Sequence, residues 1–330
     1  MRPRMDNGRS RTFLLALNNA PVLLFVAVFA AFGFQSDRFL TLQNFSNIVV
    51  QSASTGVVAV GMTFVLLTAG VDLSVGAIMF VTAALAGKMV LGGVSLSLAL
   101  PVMLALGAAF GAVNGLLVTR LRIIAFIATL GTFYLGRGLS LWVTETRAMN
   151  LPASFLSIGT SKVAGIPVPI LVFAGCVLLA DLVLRRTPFG RHIYAVGQDV
   201  ERARKAGIRT RLVLGSVYII SGLCAAIGAI LSLAQLGAVS PTFGNNKEFA
   251  AISAAVLGGT SLFGGRGNVF PGTVLGAILI QSVENGLVII NANPYLYPLI
   301  TSSIIFLAVL TDTTRTTILA RITRRRIRPA

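Results

Sequence analysis

Few residues in this sequence are equipped for covalent chemistry. The 330 residues include ten Asp and Glu and a single histidine, His192. A zinc hydrolase helix needs two histidines one turn apart, and the sequence has no such pair. Cys176 and Cys224 both lie in apolar runs. There a thiol reads as a small buried hydrophobe, not as part of a metal site or a disulfide framework. The segment Gly258-Gly259-Thr260-Ser261-Leu262-Phe263-Gly264-Gly265-Arg266-Gly267-Asn268 invites comparison with a phosphate-binding loop. Such a loop places G-K-[ST] after its glycines so that a lysine reaches the phosphates. Arg266-Gly267-Asn268 stands there instead. The chain is therefore read as having no catalytic residues, no metal and no cofactor of its own.

What remains is hydrogen-bonding chemistry. Gln51, Ser54, Asn114, Thr129, Tyr134, Gln281 and Asn285 lie inside apolar runs. A polar side chain at membrane depth marks either a solute path or a packing contact. These seven are candidate path residues, each also readable as structural. Glu284 is the one carboxylate deep in a late apolar run. Asp181 has a ready partner in Arg185, four residues on. Asp72 sits just before a helix-like run, where a carboxylate caps free backbone N–H groups. A solute or gating contact is its alternative role.

These residues must be held by apolar elements. The chain is 55% apolar and 11% charged, with a mean hydropathy of +0.86. Ordinary soluble domains are about 25% charged. Disorder is excluded, and a soluble enzyme would lack the polar surface it needs. Ten apolar runs follow one another: 13–34, 48–69, 73–91, 96–119, 123–143, 168–184, 212–234, 249–263, 268–290 and 295–311. About 20 apolar residues cross a bilayer as a helix. The expectation is an all-α integral membrane protein of about ten spans, with the first run kept as a helix and not cleaved as a signal peptide. The eighth run is the shortest.

Net charge is +17, from 27 Lys and Arg. In a soluble protein that would suggest nucleic acid. Placed on ten spans, 21 of the 27 fall on the N-terminal side. They are the four Arg before the first span, Arg120, Arg122, eight residues in loop 185–211, Arg266 and six in the tail. The other six are Arg38, Lys88, Arg137, Arg147, Lys162 and Lys247. This asymmetry places both termini in the cytoplasm. It makes the basic ends contacts for lipid headgroups, with no nucleic acid as partner. The chain divides into a basic N-terminus (1–12), a membrane domain (13–312) and a basic tail (313–330).

Glycine recurs inside the spans. Gly107, Gly111 and Gly115 form two GxxxG steps, and Gly272 and Gly276 form another. Such spacing lets helices approach closely in lipid. Two segments interrupt the apolar pattern: Gly70-Val71-Asp72-Leu73-Ser74-Val75-Gly76, and 258–268. Irregular backbone at membrane depth must be buried in protein or line a cavity. Loop 185–211 is the most charged connection. Pro188 and Gly190 mark a turn there. The stretch 199–206 is expected to be a short helix, with Asp199 as cap, Glu201 in the first turn and Gly207 ending it. So short a helix is marginal alone, so it docks onto something.

Three stretches carry a family resemblance: Gly70–Gly76; Ala195-Val196-Gly197-Gln198-Asp199 with Ala203, Ala206-Gly207-Ile208, Tyr218, Ser221 and Gly222; and Gly258–Asn268. Over about residues 20–312 the sequence resembles the permease subunit of bacterial ABC importers of the ribose, xylose and arabinose group. The resemblance implies a type II importer permease in the inner membrane, which pairs with a second permease chain as a homodimer. It implies a periplasmic binding protein that delivers a monosaccharide, and a cytoplasmic ATPase pair that binds the ATP. It places the ATPase-docking helix at about 197–208, where Arg202, Arg204 and Lys205 are more cationic than the family pattern. Other solutes on the same architecture (a nucleoside, a branched-chain amino acid, an autoinducer) and an ion-coupled secondary transporter are the alternatives.

Overall fold

The computed structural model describes residues 20–297, with 299, 300, 302, 303, 306 and 310 beyond them. The two basic ends, 1–12 and 313–330, lie outside the described residues, as do eight of the seventeen residues of the tenth apolar run. Twelve α-helices are present among the described residues. They are α1 (Ala20–Gln35), α2 (Leu42–Leu67), α3 (Val75–Leu91), α4 (Leu96–Thr119), α5 (Ala125–Thr144) and α6 (Ala153–Thr160). There follow α7 (Val168–Arg186), α8 (Pro188–Gln198), α9 (Val200–Lys205), α10 (Thr210–Leu236), α11 (Lys247–Leu257) and α12 (Val274–Ile289). Five segments are long and apolar enough to cross a membrane: α2, α4, α7, α10, and α12 with the π-helical turn before it. Helices α1 and α3 are apolar but shorter.

The expected runs map closely onto these helices, with three corrections. The eighth run, 249–263, is helical only as α11, which has 11 residues. At 1.5 Å per residue that is about 16 Å, half a bilayer core. The chain then continues as irregular backbone to Asn268, because Gly259, Gly264, Gly265 and Gly267 all adopt positive φ. Second, the turn read at Pro188 and Gly190 is the start of a helix. Thr187 accepts a hydrogen bond from the Gly190 N–H at 3.2 Å, and Pro188 occupies the first helical position, where its missing N–H costs nothing. Third, the molecule is not wholly helical. Two-residue strands β1 (Met149–Asn150) and β4 (Ala238–Val239) pair antiparallel, as do β2 (Lys162–Val163) and β3 (Ile166–Pro167). They satisfy backbone groups where connecting segments meet.

Helix α2 is the axis of the bundle. Thr41 caps its start by accepting from the Asn44 N–H, and every residue from Ser52 to Thr68 is buried. It is enclosed mainly by α10, α11, α12 and α7. The most extensive pairing is between α4 and α10, and small residues permit it. A Cβ on Gly111 would collide with the Tyr218 carbonyl, and one on Gly222 would collide with the Gly107 carbonyl. Gly115 faces Gly215 in the same seam. The GxxxG steps are thus internal packing surfaces. Gly276 likewise rests on Ala254, bringing α12 against α11. Both cysteines are free, Cys224 buried and Cys176 partly so. The outer faces stay apolar: Leu178 and Leu179 on α7 and Leu135 and Trp142 on α5 are 66–76% exposed, as a lipid-facing surface requires.

The seam predicts a sharp positional contrast. Gly222→Val should lower the Tm of the purified protein markedly, since overpacking costs about 1–3 kcal/mol. Gly138→Ala, whose added methyl meets nothing within 4 Å, should leave it unchanged. Equal Tm values for the two variants would contradict the packing described.

Candidate functional site

The break between α2 and α3 is the best-built polar feature. Its residues Asp72 and Ser74 are fully buried. Asp72 Oδ1 accepts from the Ser74 N–H at 3.0 Å and the Ser74 hydroxyl at 2.6 Å. Its Oδ2 accepts from the Ser221 hydroxyl on α10 at 2.8 Å. Asn114 on α4 donates to Ser74 Oγ at 2.7 Å and accepts from Thr132 on α5 at 2.7 Å. One carboxyl therefore ties the break to three helices. It bonds the N–H of Ser74, the residue before α3, and not an N–H of the helix itself, so it closes the break and binds across helices where the sequence suggested a cap. Ser221 lies near the middle of α10, so the irregular backbone sits deep within the bundle.

The three motif stretches meet. Gly197, at the end of α8, is pressed so closely on the end of α2 that a Cβ would collide with the Leu67 carbonyl and stand 2.6 Å from the Gly265 nitrogen. The Gly265 N–H donates to that same Leu67 carbonyl at 2.9 Å. The Tyr194 hydroxyl on α8 donates to the Gly267 carbonyl at 2.9 Å. Burial pushes the Tyr194 phenol up from its ordinary pKa. Asn268 accepts from the Gly272 N–H at 2.7 Å and so starts the turn leading into α12. Gly258 and Gly259 end α11, with Gly258 against Gly272.

Loop 185–211 is two helices, not one. The second, α9, has the expected form. Asp199 caps it through the Arg202 N–H at 3.0 Å, and Gly207 follows at φ 85°. Ala203 is buried and its N–H is bonded to the Asp199 carbonyl. The Ile208 N–H closes onto the Ala203 carbonyl. Arg202 pairs with Asp199 at 2.9 Å and Arg204 with Glu201 at 2.8 Å. These side chains stay exposed, Arg202 at 88%, so α9 presents a charged outer face. The first helix, α8, escaped the sequence reading. Its buried Ile193, Val196 and Gly197 alternate at helical spacing, a signal masked by the proline and glycine.

The seven path candidates separate into three groups. Ser54 is buried and bonds the Gly228 carbonyl and Ser232. Asn114 belongs to the Asp72 network, and Thr129 bonds the Ala125 carbonyl and more weakly that of Val71. Tyr134 is 67% exposed on the outside, edge-on to Phe133. Only Gln51, Gln281 and Asn285 come together, on a cavity of about 1000 Å³ bounded by α2, α11, α12 and the side chains of Tyr297, Ser302 and Phe306. Glu284 and Lys247 line it too. Asp181 pairs with Arg185 at 2.8 Å. Among the described residues no three His, Cys, Asp or Glu side chains are grouped to hold a metal.

The chain belongs to the sequence family described as branched-chain amino acid transport system / permease component, which matches residues 44–310. It is 38% identical over 279 residues to the ribose import permease protein RbsC of Haemophilus influenzae, covering 83% of this chain and 86% of that one. The Escherichia coli K12 ribose import permease is 38% identical over 282 residues, 84% of this chain and 88% of its own. The D-allose transport system permease protein AlsC of the same strain is 36% identical over 291 residues, 88% of each. No solved structure matches the chain significantly.

Substitutions at Asp72 test the buried network. Asp72→Asn keeps the acceptor for Ser74 and should be mild. Asp72→Ala orphans several buried donors, each costing about 1–3 kcal/mol, and should lower detergent Tm or abolish membrane accumulation. Alanine behaving like asparagine would contradict the network.

Proposed function

We propose that this chain is the membrane-spanning permease of an ATP-driven importer, and that its cargo is a monosaccharide, ribose or a related sugar. Similarity to ribose import permeases over more than four-fifths of the chain carries the reading. The related allose permease supports a sugar as cargo. In this reading the permease lies in the inner membrane with about ten membrane segments, the eighth only half helical, and both termini in the cytoplasm, in agreement with the one-sided distribution of Lys and Arg. A periplasmic binding protein delivers the sugar. A separate cytoplasmic ATPase binds and hydrolyses ATP, and a second copy of the permease completes the pathway.

The geometry suits mechanical coupling. The ATPase docks on loop 185–211, with the charged face of α9 as contact. Movement there passes through α8 to Gly197, which has no side chain to take up slack. Gly197 bears on the end of α2 and on the 264–265 turn leading to α12. Further along, α2 and α12 carry Gln51 and Gln281 at the cavity. A force on the cytoplasmic loop is thereby delivered to the helices that border the cavity.

Charge reversal of the docking face, Arg202→Glu with Arg204→Glu, removes two exposed ion pairs, each worth no more than about 1 kcal/mol. Membrane abundance should therefore hold, while ATP hydrolysis in the assembled importer no longer drives sugar uptake. Normal coupling in the double variant would remove α9 as the docking element.

A further inference from the structure

We infer that the cavity bounded by α2, α11 and α12 is a recognition site for a neutral polyhydroxylated solute, so that the permease itself selects its cargo. This rests on the importer reading above and adds a site within it.

Gln51 is exposed at the head of an otherwise unbroken buried stretch of α2. Packing does not explain an amide there. Gln281 Nε2 donates to Gln51 Oε1 at 3.2 Å. The pair leaves Gln51 Nε2 as a donor and Gln281 Oε1 as an acceptor with no described partner. Asn285 accepts from Asn44 at 2.9 Å and keeps its own Nδ2 as a second donor. Donors and acceptors side by side match a hydroxyl, which both gives and receives a hydrogen bond.

Charge selects against ions. The cavity has one cation, Lys247, and one carboxylate, Glu284, among its described lining. The Lys247 ammonium is held by Thr55 Oγ1 at 2.9 Å. The formal charges cancel, so neither a carboxylate nor an ammonium solute finds a surplus counter-charge. Phe249, 53% exposed, borders the same space and offers an apolar face for ring C–H groups. The volume, about 1000 Å³, is at the top of the ~300–1,000 Å³ range of small-molecule sites. It accommodates a sugar with water around it. A few convergent polar groups on an apolar wall are the usual composition of such a site.

The test uses the permease reconstituted with its ATPase and binding protein in proteoliposomes, with D-ribose as probe. For Gln51→Ala/Gln281→Ala, ribose uptake and the hydrolysis stimulated by the binding protein are measured together. Ribose moved per ATP should fall about tenfold, as expected for two lost hydrogen bonds. An unchanged ratio overturns the site. A second measurement holds even if that variant fails to assemble: Gln281→Cys is labelled with a small thiol reagent in membranes. Saturating D-ribose should slow labelling several-fold, and potassium chloride of equal osmolality should not. Equal effects of the two, or none, overturn the site. Absence of any stimulated hydrolysis in the unmodified complex would instead remove the importer reading.

Discussion

A lipid interior offers no water to a broken helix. Between α2 and α3 the backbone leaves helical geometry deep in the bundle, and its polar groups must be satisfied by protein. Asp72 does this. One buried carboxyl accepts the hydrogen bonds of Ser74 and Ser221, and Ser74 passes the connection to Asn114 and Thr132. Because these residues come from α10, α4 and α5, the break becomes a junction that fixes four elements. The end of α2 is thereby set in place as a surface for other segments.

Those segments are the two remaining loops, and their contact requires missing side chains. Gly197 reaches the Leu67 carbonyl and Gly264 reaches Ala69 only because neither carries a Cβ. Backbone-to-backbone contact is stiff. It has no rotamers to absorb displacement, so α8 and the 258–268 segment move with the end of α2 or not at all. The small-residue seam of α4 on α10 extends the same economy along the bundle. Close packing of this kind favours rigid-body motion over gradual deformation.

Much of this was legible in the sequence. Runs such as 96–119 matched their helices to the residue, since the absence of charge over that length permits little else. The capped helix after Asp199 and the packing role of Gly107, Gly111 and Gly115 were readable from local chemistry. Three features were not. Apolarity alone cannot distinguish a spanning helix from a half-length one followed by irregular backbone, so 249–263 was overextended. Pro188 and Gly190 look like a turn until Thr187 is seen to cap them. The polar residues could be named but not sorted. Ser54 and Asn114 share composition with Gln51 and Gln281, and only the tertiary arrangement shows which are consumed by packing. The charge of +17 took its meaning from position in the same way, being informative only once set against the spans.

In the mechanism proposed above, transport energy comes from another chain through loop 185–211. The structure contains a competing feature in Glu284, a carboxylate at the cavity, as ion-coupled carriers often have. The most direct measurement is uptake of labelled D-ribose into liposomes containing this chain alone, under imposed proton and sodium gradients. No accumulation is expected under either gradient, with uptake appearing only when the ATPase, the binding protein and ATP are supplied. Gradient-driven accumulation by the chain alone would contradict the mechanism.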